Sequence, residues 1–176
     1  MKKLVVILCM LGMLFGEGEK NFVERGEEAF EKRDYETAIK FWEQACGKKM
    51  GAGCRNLGVL YASGNGVKQD TLKALELFDK SCDLGTDMAC FYIANFYYEG
   101  EKIKQNKSRA VEFYQRACNK GNSSACVKVG YIYDTGDGIK QDSFKAVEFY
   151  TMACDNGATI SCYNLGNKYV NGEGVF

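Results

Sequence analysis

The stretch ACNKGNSSAC, Ala117 to Cys126, places two cysteines eight positions apart with a glycine and small polar residues between them. Cys46/Cys54, Cys82/Cys90 and Cys154/Cys162 keep that separation, and each pair begins 36 residues after the one before it. A fixed period of this length marks a repeat array, in which each unit is one supersecondary element packed on its neighbours.

A shift of 36 residues aligns far more than cysteine. KALELFDKSC (Lys73 to Cys82) matches RAVEFYQRAC (Arg109 to Cys118) and KAVEFYTMAC (Lys145 to Cys154), and AIKFWEQAC, ending at Cys46, falls in the same register. Tyr61, Tyr97, Tyr133 and Tyr169 coincide, as do Gly64, Gly100, Gly136 and Gly172. Each unit reads as two helices. In the second, Ala74, Leu75, Leu77, Phe78, Ser81 and Cys82 form a face with helical spacing. Asp70, Asn106 and Asp142 stand just before these helices, where a short side-chain oxygen caps free backbone amides, and Gly85, Gly121 and Gly157 follow their ends.

In the first helix of each unit, Leu57-Gly58-Tyr61, Ile93-Ala94-Tyr97, Val129-Gly130-Tyr133 and Leu165-Gly166-Tyr169 share a face with the cysteine. The Gly/Ala position predicts a neighbouring helix that passes too close for a larger side chain. Between the helices lie SGNGVKQD, EGEKIKQN and TGDGIKQD, Gly-rich but without the G-K-[ST] of a phosphate loop, so they read as structural turns with Val67, Ile103 and Ile139 tucked inward. The first unit has a shorter loop and a tetratricopeptide-like YETAI (Tyr35 to Ile39). The fold class is therefore all-α, an α/α superhelical solenoid of 36-residue helix-pair repeats. The expected divisions are a signal peptide at 1–18, a tetratricopeptide-like repeat at 19–48, and repeats at 49–84, 85–120 and 121–156. Residues 157–176 form either a capping helix or a truncated repeat.

Lys2 and Lys3 followed by LVVILCMLGMLF (Leu4 to Phe15) have the layout of an export signal, with an apolar core too short to span a bilayer. A retained N-terminal anchor is the alternative. Removal of Cys9 with that segment leaves eight cysteines, an even number in a chain sent to an oxidising space. Zinc competes poorly, because the spacing is too wide and histidine is absent. Eight cysteines admit about a hundred pairings. Each pair joins the end of one second helix to the start of the next first helix across a short turn, which brings the two within disulfide reach. Cys46–Cys54, Cys82–Cys90, Cys118–Cys126 and Cys154–Cys162 are the expected bonds, one per repeat.

The stretch from Gly53-Cys54 to Lys73-Ala74 carries almost completely the pattern A-C-x-x-L-G-x-x-Y-x-x-G-x-G-V-x-x-D-x-x-K-A and resembles the Sel-one-like repeat, a relative of the tetratricopeptide repeat. With a cysteine pair in every unit, the chain from Asn21 onward resembles the secreted Helicobacter cysteine-rich proteins. The resemblance implies an exported α/α solenoid, host-cell proteins as partners, and penicillin binding with slow β-lactam hydrolysis.

Charge bounds the alternatives. Lys+Arg and Asp+Glu stand at 23 each and no basic run occurs, so neither nucleic acid nor an anionic membrane is a partner. With no histidine, the commonest general base is missing. No S-x-x-K occurs: Ser143-Phe144-Lys145 is one residue too tight, and Ser124 has its lysine four positions on, at Lys128. No metal site, cofactor motif or catalytic residue can be assigned. Opposite the core stripe of the first helices, however, stand Asn56, Tyr92, Asn95, Lys128, Tyr131, Asn164 and Asn167, at positions that change from unit to unit while the core stripe repeats. They are the candidate groove of a monomeric, secreted or periplasmic binding protein whose ligand is a peptide, a protein or a peptidoglycan fragment. A slow β-lactamase is the second reading. Phe113-Tyr114 and Phe149-Tyr150 read as core, and Trp42 is expected between the first two repeats.

Overall fold

A computed structural model describes residues 22–174, so the expected signal segment lies outside the described residues. These residues form nine helices and no strand: α1 (22–31), α2 (Tyr35–Gly47), α3 (Gly51–Ser63), α4 (Thr71–Asp83), α5 (Asp87–Glu99), α6 (Lys107–Asn119), α7 (Ser123–Thr135), α8 (Ser143–Asp155) and α9 (Thr159–Asn171). The fold class is all-α, built of antiparallel helix pairs as in α/α solenoids. After Leu84 the chain divides into two compact units.

The second helices start where the sequence supplies a cap. Asp70, Asn106 and Asp142 accept from the backbone N–H groups of Lys73, Arg109 and Lys145 at 2.9, 3.0 and 3.1 Å. The turn after each second helix needs one left-handed residue. Gly85, Gly121 and Gly157 supply it with φ of 98°, 97° and 85°, and Lys49 takes the same place in the first turn at φ 61°. Inside each later pair, a glutamine latches the loop: the side-chain amides of Gln69, Gln105 and Gln141 donate to the carbonyls of Ala62, Tyr98 and Asp134 at 2.6, 2.7 and 2.6 Å. Val67, Ile103 and Ile139 are half-buried beneath these loops.

In the first unit, Ala38, Trp42, Cys46, Cys54, Leu57, Leu60 and Leu77 form a continuous core. The Trp42 ring lies against Gly26 of α1 and donates its Nε1–H to the Val23 carbonyl at 3.2 Å. Cys46 bonds to Cys54 with Cα atoms 4.6 Å apart, and the Ser81 hydroxyl donates to the Gly51 carbonyl at 2.7 Å.

In the second unit, α6 covers α5, α8 covers α7, and α9 packs on α8. Tyr97 stacks on Phe113 and Tyr133 on Phe149, with centroids 6.0 and 5.9 Å apart. Cys118–Cys126 and Cys154–Cys162 bridge the turns before α7 and α9. Cys82 and Cys90 are disulfide-bonded as well. A Cβ built on Gly58 or Gly130 would come within 2.6 Å of the Phe78 or Tyr150 ring, so the small residue in each first helix marks the close helix approach expected above.

Candidate ligand-binding site on the first helices

Asn56, on α3 of the first unit, accepts from the Arg55 guanidinium at 2.9 Å and donates to Glu27 Oε1 at 3.4 Å. The other candidate groove residues belong to the second unit. Tyr92 and Asn95 on α5 are half-buried, and Asn95 Oδ1 accepts from the Tyr114 hydroxyl at 2.5 Å. On α7, Lys128 sits with its ammonium 5.6 Å from the centre of the Tyr98 ring, and Tyr131 is 51% exposed.

Three of the predicted residues come together. Tyr131 of α7 and Asn164 and Asn167 of α9 line one cleft of about 370 Å³, joined by Asn171 on the same stripe. The floor and end wall carry charge and hydroxyl groups outside the predicted set: Asp134, Tyr150, Lys168 and Glu173. Lys168 is buried, donating to Glu173 Oε2 at 2.6 Å and pairing with Asp134. Burial alone would lower its pKa, but the bonds to Asp134 and Glu173 prevail, and the ammonium is held above the ordinary lysine value. The Tyr150 hydroxyl donates to Asp134 Oδ2 at 3.4 Å, and burial pushes that phenol up. The polar floor is therefore saturated internally, whereas the exposed Asn167 and Asn171 stand on the rim.

Lys168 has a sequence signal that periodicity alone passes over. The shift of 36 sets it in register with Leu60, Phe96 and Ile132, an apolar position of the first helices. A lysine there marks a repeat whose interior has been made polar.

A second cluster closes the adjoining loop. Asp137 accepts from the Tyr98 hydroxyl at 2.6 Å and pairs with Lys107. The hydrogen bond to Asp137, with burial, pushes the Tyr98 phenol up to about 12, while Lys107 and then Tyr98 hold the Asp137 carboxyl below the usual carboxylate range. Among the described residues, no group of three or more acidic or cysteine side chains is placed to hold a metal ion, and no helix is long and apolar enough to cross a membrane.

The sequence profile of the Sel1 repeat matches residues 8–48, 51–86, 87–122, 123–157 and 159–176. The chain is similar to HcpC of Helicobacter pylori, provisionally named a beta-lactamase, with 38% identity over 66 residues that cover 38% of this chain and 23% of that one. It thus matches under a quarter of that relative's length. A solved Sel1 repeat protein from Oxalobacter formigenes is similar with a TM-score of 0.78 and 27% identity, over 86% of this chain and 62% of that one. Helicobacter pylori cysteine rich protein B is similar with a TM-score of 0.59 and 26% identity, over 75% and 95% of the two chains. Disulfides in successive repeats, together with these relatives, mark an extracytoplasmic protein.

Proposed function

Because the chain belongs to the Sel1 repeat family, we propose that it is an exported, disulfide-stapled scaffold that binds an extended peptide backbone, from a protein or from a peptidoglycan stem peptide, in the cleft between α7 and α9. Helix-pair repeats of this kind present extended binding surfaces and generally mediate protein–protein interaction. The observation that carries the reading is the meeting of Tyr131, Asn164 and Asn167 around one cleft. An asparagine amide both donates and accepts, which matches the alternating groups of a peptide backbone. Tyr131 supplies a flat apolar wall for a side chain, and Asp134, Lys168 and Glu173 pair with one another beneath it, leaving one net negative charge on the floor.

The HcpC name raises β-lactam hydrolysis as the other reading. Among the described residues no serine or cysteine lines this cleft, the hydroxyl of Thr135 donates to the Tyr131 carbonyl at 2.9 Å, and the lysine is held charged between two carboxylates, so an activated nucleophile has no support there.

The test titrates the oxidised chain with muramyl dipeptide and, separately, with an acetylated, amidated alanine tetrapeptide, following amide shifts by NMR. Shifts should centre on Tyr131, Asn164 and Asn167. The double change Asn164→Ala, Asn167→Ala should weaken binding about tenfold or more, as expected for two lost hydrogen bonds of roughly 1 kcal/mol each. Absence of saturable shifts with both probes would overturn the reading. A penicillin adduct found by intact mass would replace it with the hydrolase.

A further inference from the structure

The sequence holds three Asn-Gly pairs: Asn65-Gly66, Asn156-Gly157 and Asn171-Gly172. The fold treats them differently. Asn156 and Asn171 stand at helix ends, and the amide that follows each is engaged. Gly157 donates its N–H to the Cys154 carbonyl at 2.9 Å, and Gly172 donates to the Tyr169 carbonyl at 3.2 Å. Asn65 is exposed in the loop between α3 and α4. Its own N–H donates to the Ser63 hydroxyl at 3.3 Å, which anchors the backbone there. Among the described residues, neither the Asn65 side-chain amide nor the Gly66 N–H has a hydrogen-bond partner.

Packing fixes the glycine. Gly66 takes φ 73°, and a Cβ built on it would come within 2.2 Å of Tyr35 Cβ. Residue 66 therefore cannot carry the side chain that would shield its own nitrogen. Position 65 is the one that differs between repeats, and the matching residues of the later units are Glu101, Asp137 and Glu173, all acids.

We propose that Asn65 is a self-modifying site: it deamidates through Gly66 and gives the first loop the carboxylate that the later loops already carry. The Gly66 nitrogen, having lost its proton, attacks Asn65 Cγ. The N–Cγ bond forms, the Cγ–Nδ2 bond breaks, and the side-chain nitrogen leaves as ammonia with that proton. Water then opens the cyclic imide at one of its two carbonyls. Breaking the new N–Cγ bond restores the normal backbone with aspartate at position 65. Breaking the original peptide C–N bond leaves isoaspartate, with the chain running through Cβ and Cγ. One water enters, one ammonia leaves, and nothing is oxidised or reduced. At Asn156 and Asn171 the same attack must wait for a helix-end hydrogen bond to open, whereas at Asn65 the nitrogen is already free. The site lies in the first unit and does not depend on any ligand of the α7–α9 cleft.

The experiment holds the oxidised, folded chain at mildly alkaline pH in water enriched in heavy oxygen and follows each Asn-Gly pair by peptide mapping. Labelling of the digest with an isoaspartyl methyltransferase separates isoaspartate from aspartate. Heavy oxygen should appear at position 65 at least about tenfold faster than at 156 or 171, since those two must first break a hydrogen bond. Both aspartate and isoaspartate should form. In the reduced, urea-unfolded chain the three pairs should react within about threefold of one another, because the fold no longer tells them apart. Asn65→Gln keeps an amide but makes ring closure unfavourable, and it should remove the early signal while leaving the circular dichroism unchanged. Folded-state rates at 156 or 171 that equal the rate at 65 would overturn the inference. So would a position 65 that stays intact in the folded chain while it reacts in the unfolded one.

Discussion

Helices α7 and α9 occupy the same place in the repeat, 36 residues apart, and differ in what lies over them. Val129, Gly130 and Ile132 of α7 are fully buried, and Tyr133 is stacked under α8. The matching Leu165, Gly166 and Tyr169 of α9 are open to various degrees, and Ile132 has become Lys168. One amino-acid pattern thus makes a core in one helix and a surface in the other. Burial here is a property of the neighbour rather than of the residue, as expected for an array in which each unit touches only the next.

The sharpest way to break this comparison is to make one change at both glycines. Gly130→Leu drives a side chain into the Tyr150 ring and should cost about 3 kcal/mol of stability in urea unfolding, at the upper end for overpacking. Gly166→Leu should add about 0.5–1 kcal/mol, since leucine is the better helix former and nothing obstructs it. Equal effects at the two sites would mean that α9 is covered as α7 is.

The disulfides give a smaller contrast. Cys118–Cys126 and Cys154–Cys162 each close a nine-residue loop worth about 2.5 kcal/mol on the chain-entropy model. Cys118 and Cys126 are buried, however, while Cys154 and Cys162 are half-buried. Limiting phosphine followed by alkylation and digestion should open Cys154–Cys162 first, and the reverse order would contradict the looser packing of α9.

The smallest expected effect is in pH. The Lys168 pKa is raised on folding, so its contribution is whole below the ordinary lysine value near ~10.4 and is lost as pH rises through the folded value. Asp137 runs the other way: its contribution is present above ~3.9 and is lost as pH falls through its lowered folded value. Melting midpoints should therefore fall at both extremes, the part-exposed Asp137 pair contributing under ~1 kcal/mol. Lys168→Met should remove its share of the alkaline part, leave the share carried by the raised Tyr98 and Tyr150 phenols, and keep the acid part.

Most of the helical framework was legible in the sequence, because its signals are local to one repeat. The caps at Asp70, Asn106 and Asp142 and the turn glycines act within four residues of their partners, and the small residue opposite an aromatic recurs in fixed register. The cleft was legible only in its rim. Tyr131, Asn164 and Asn167 follow from the face opposite the core stripe, but Tyr150 was assigned to the core on its ring alone. The ring is indeed buried, and only its hydroxyl reaches Asp134. Lys168 is hidden from periodicity because a single polar residue barely alters a helical pattern, although direct comparison with Ile132 exposes it. The exposure of Gly166 and Tyr169 among the described residues is a matter of packing between helices, which no pattern within α9 encodes.

The placement of the cross-links also governs how the chain comes apart. Cys118–Cys126 and Cys154–Cys162 straddle the turns between helix pairs, whereas the loops within pairs are closed by hydrogen bonds, from the side-chain amides of Gln69, Gln105 and Gln141 and from the backbone N–H groups of Asp70, Asn106 and Asp142. A protease that nicks the turn at 120–122 leaves one covalent molecule, still tethered and able to re-form its packing. A nick within 137–141 leaves no covalent bond across the cut, so the fragment carrying α8 and α9 is free to depart. Proteolytic damage is thus sorted by loop class, with one kind of cut tolerated and the other shedding whole repeats.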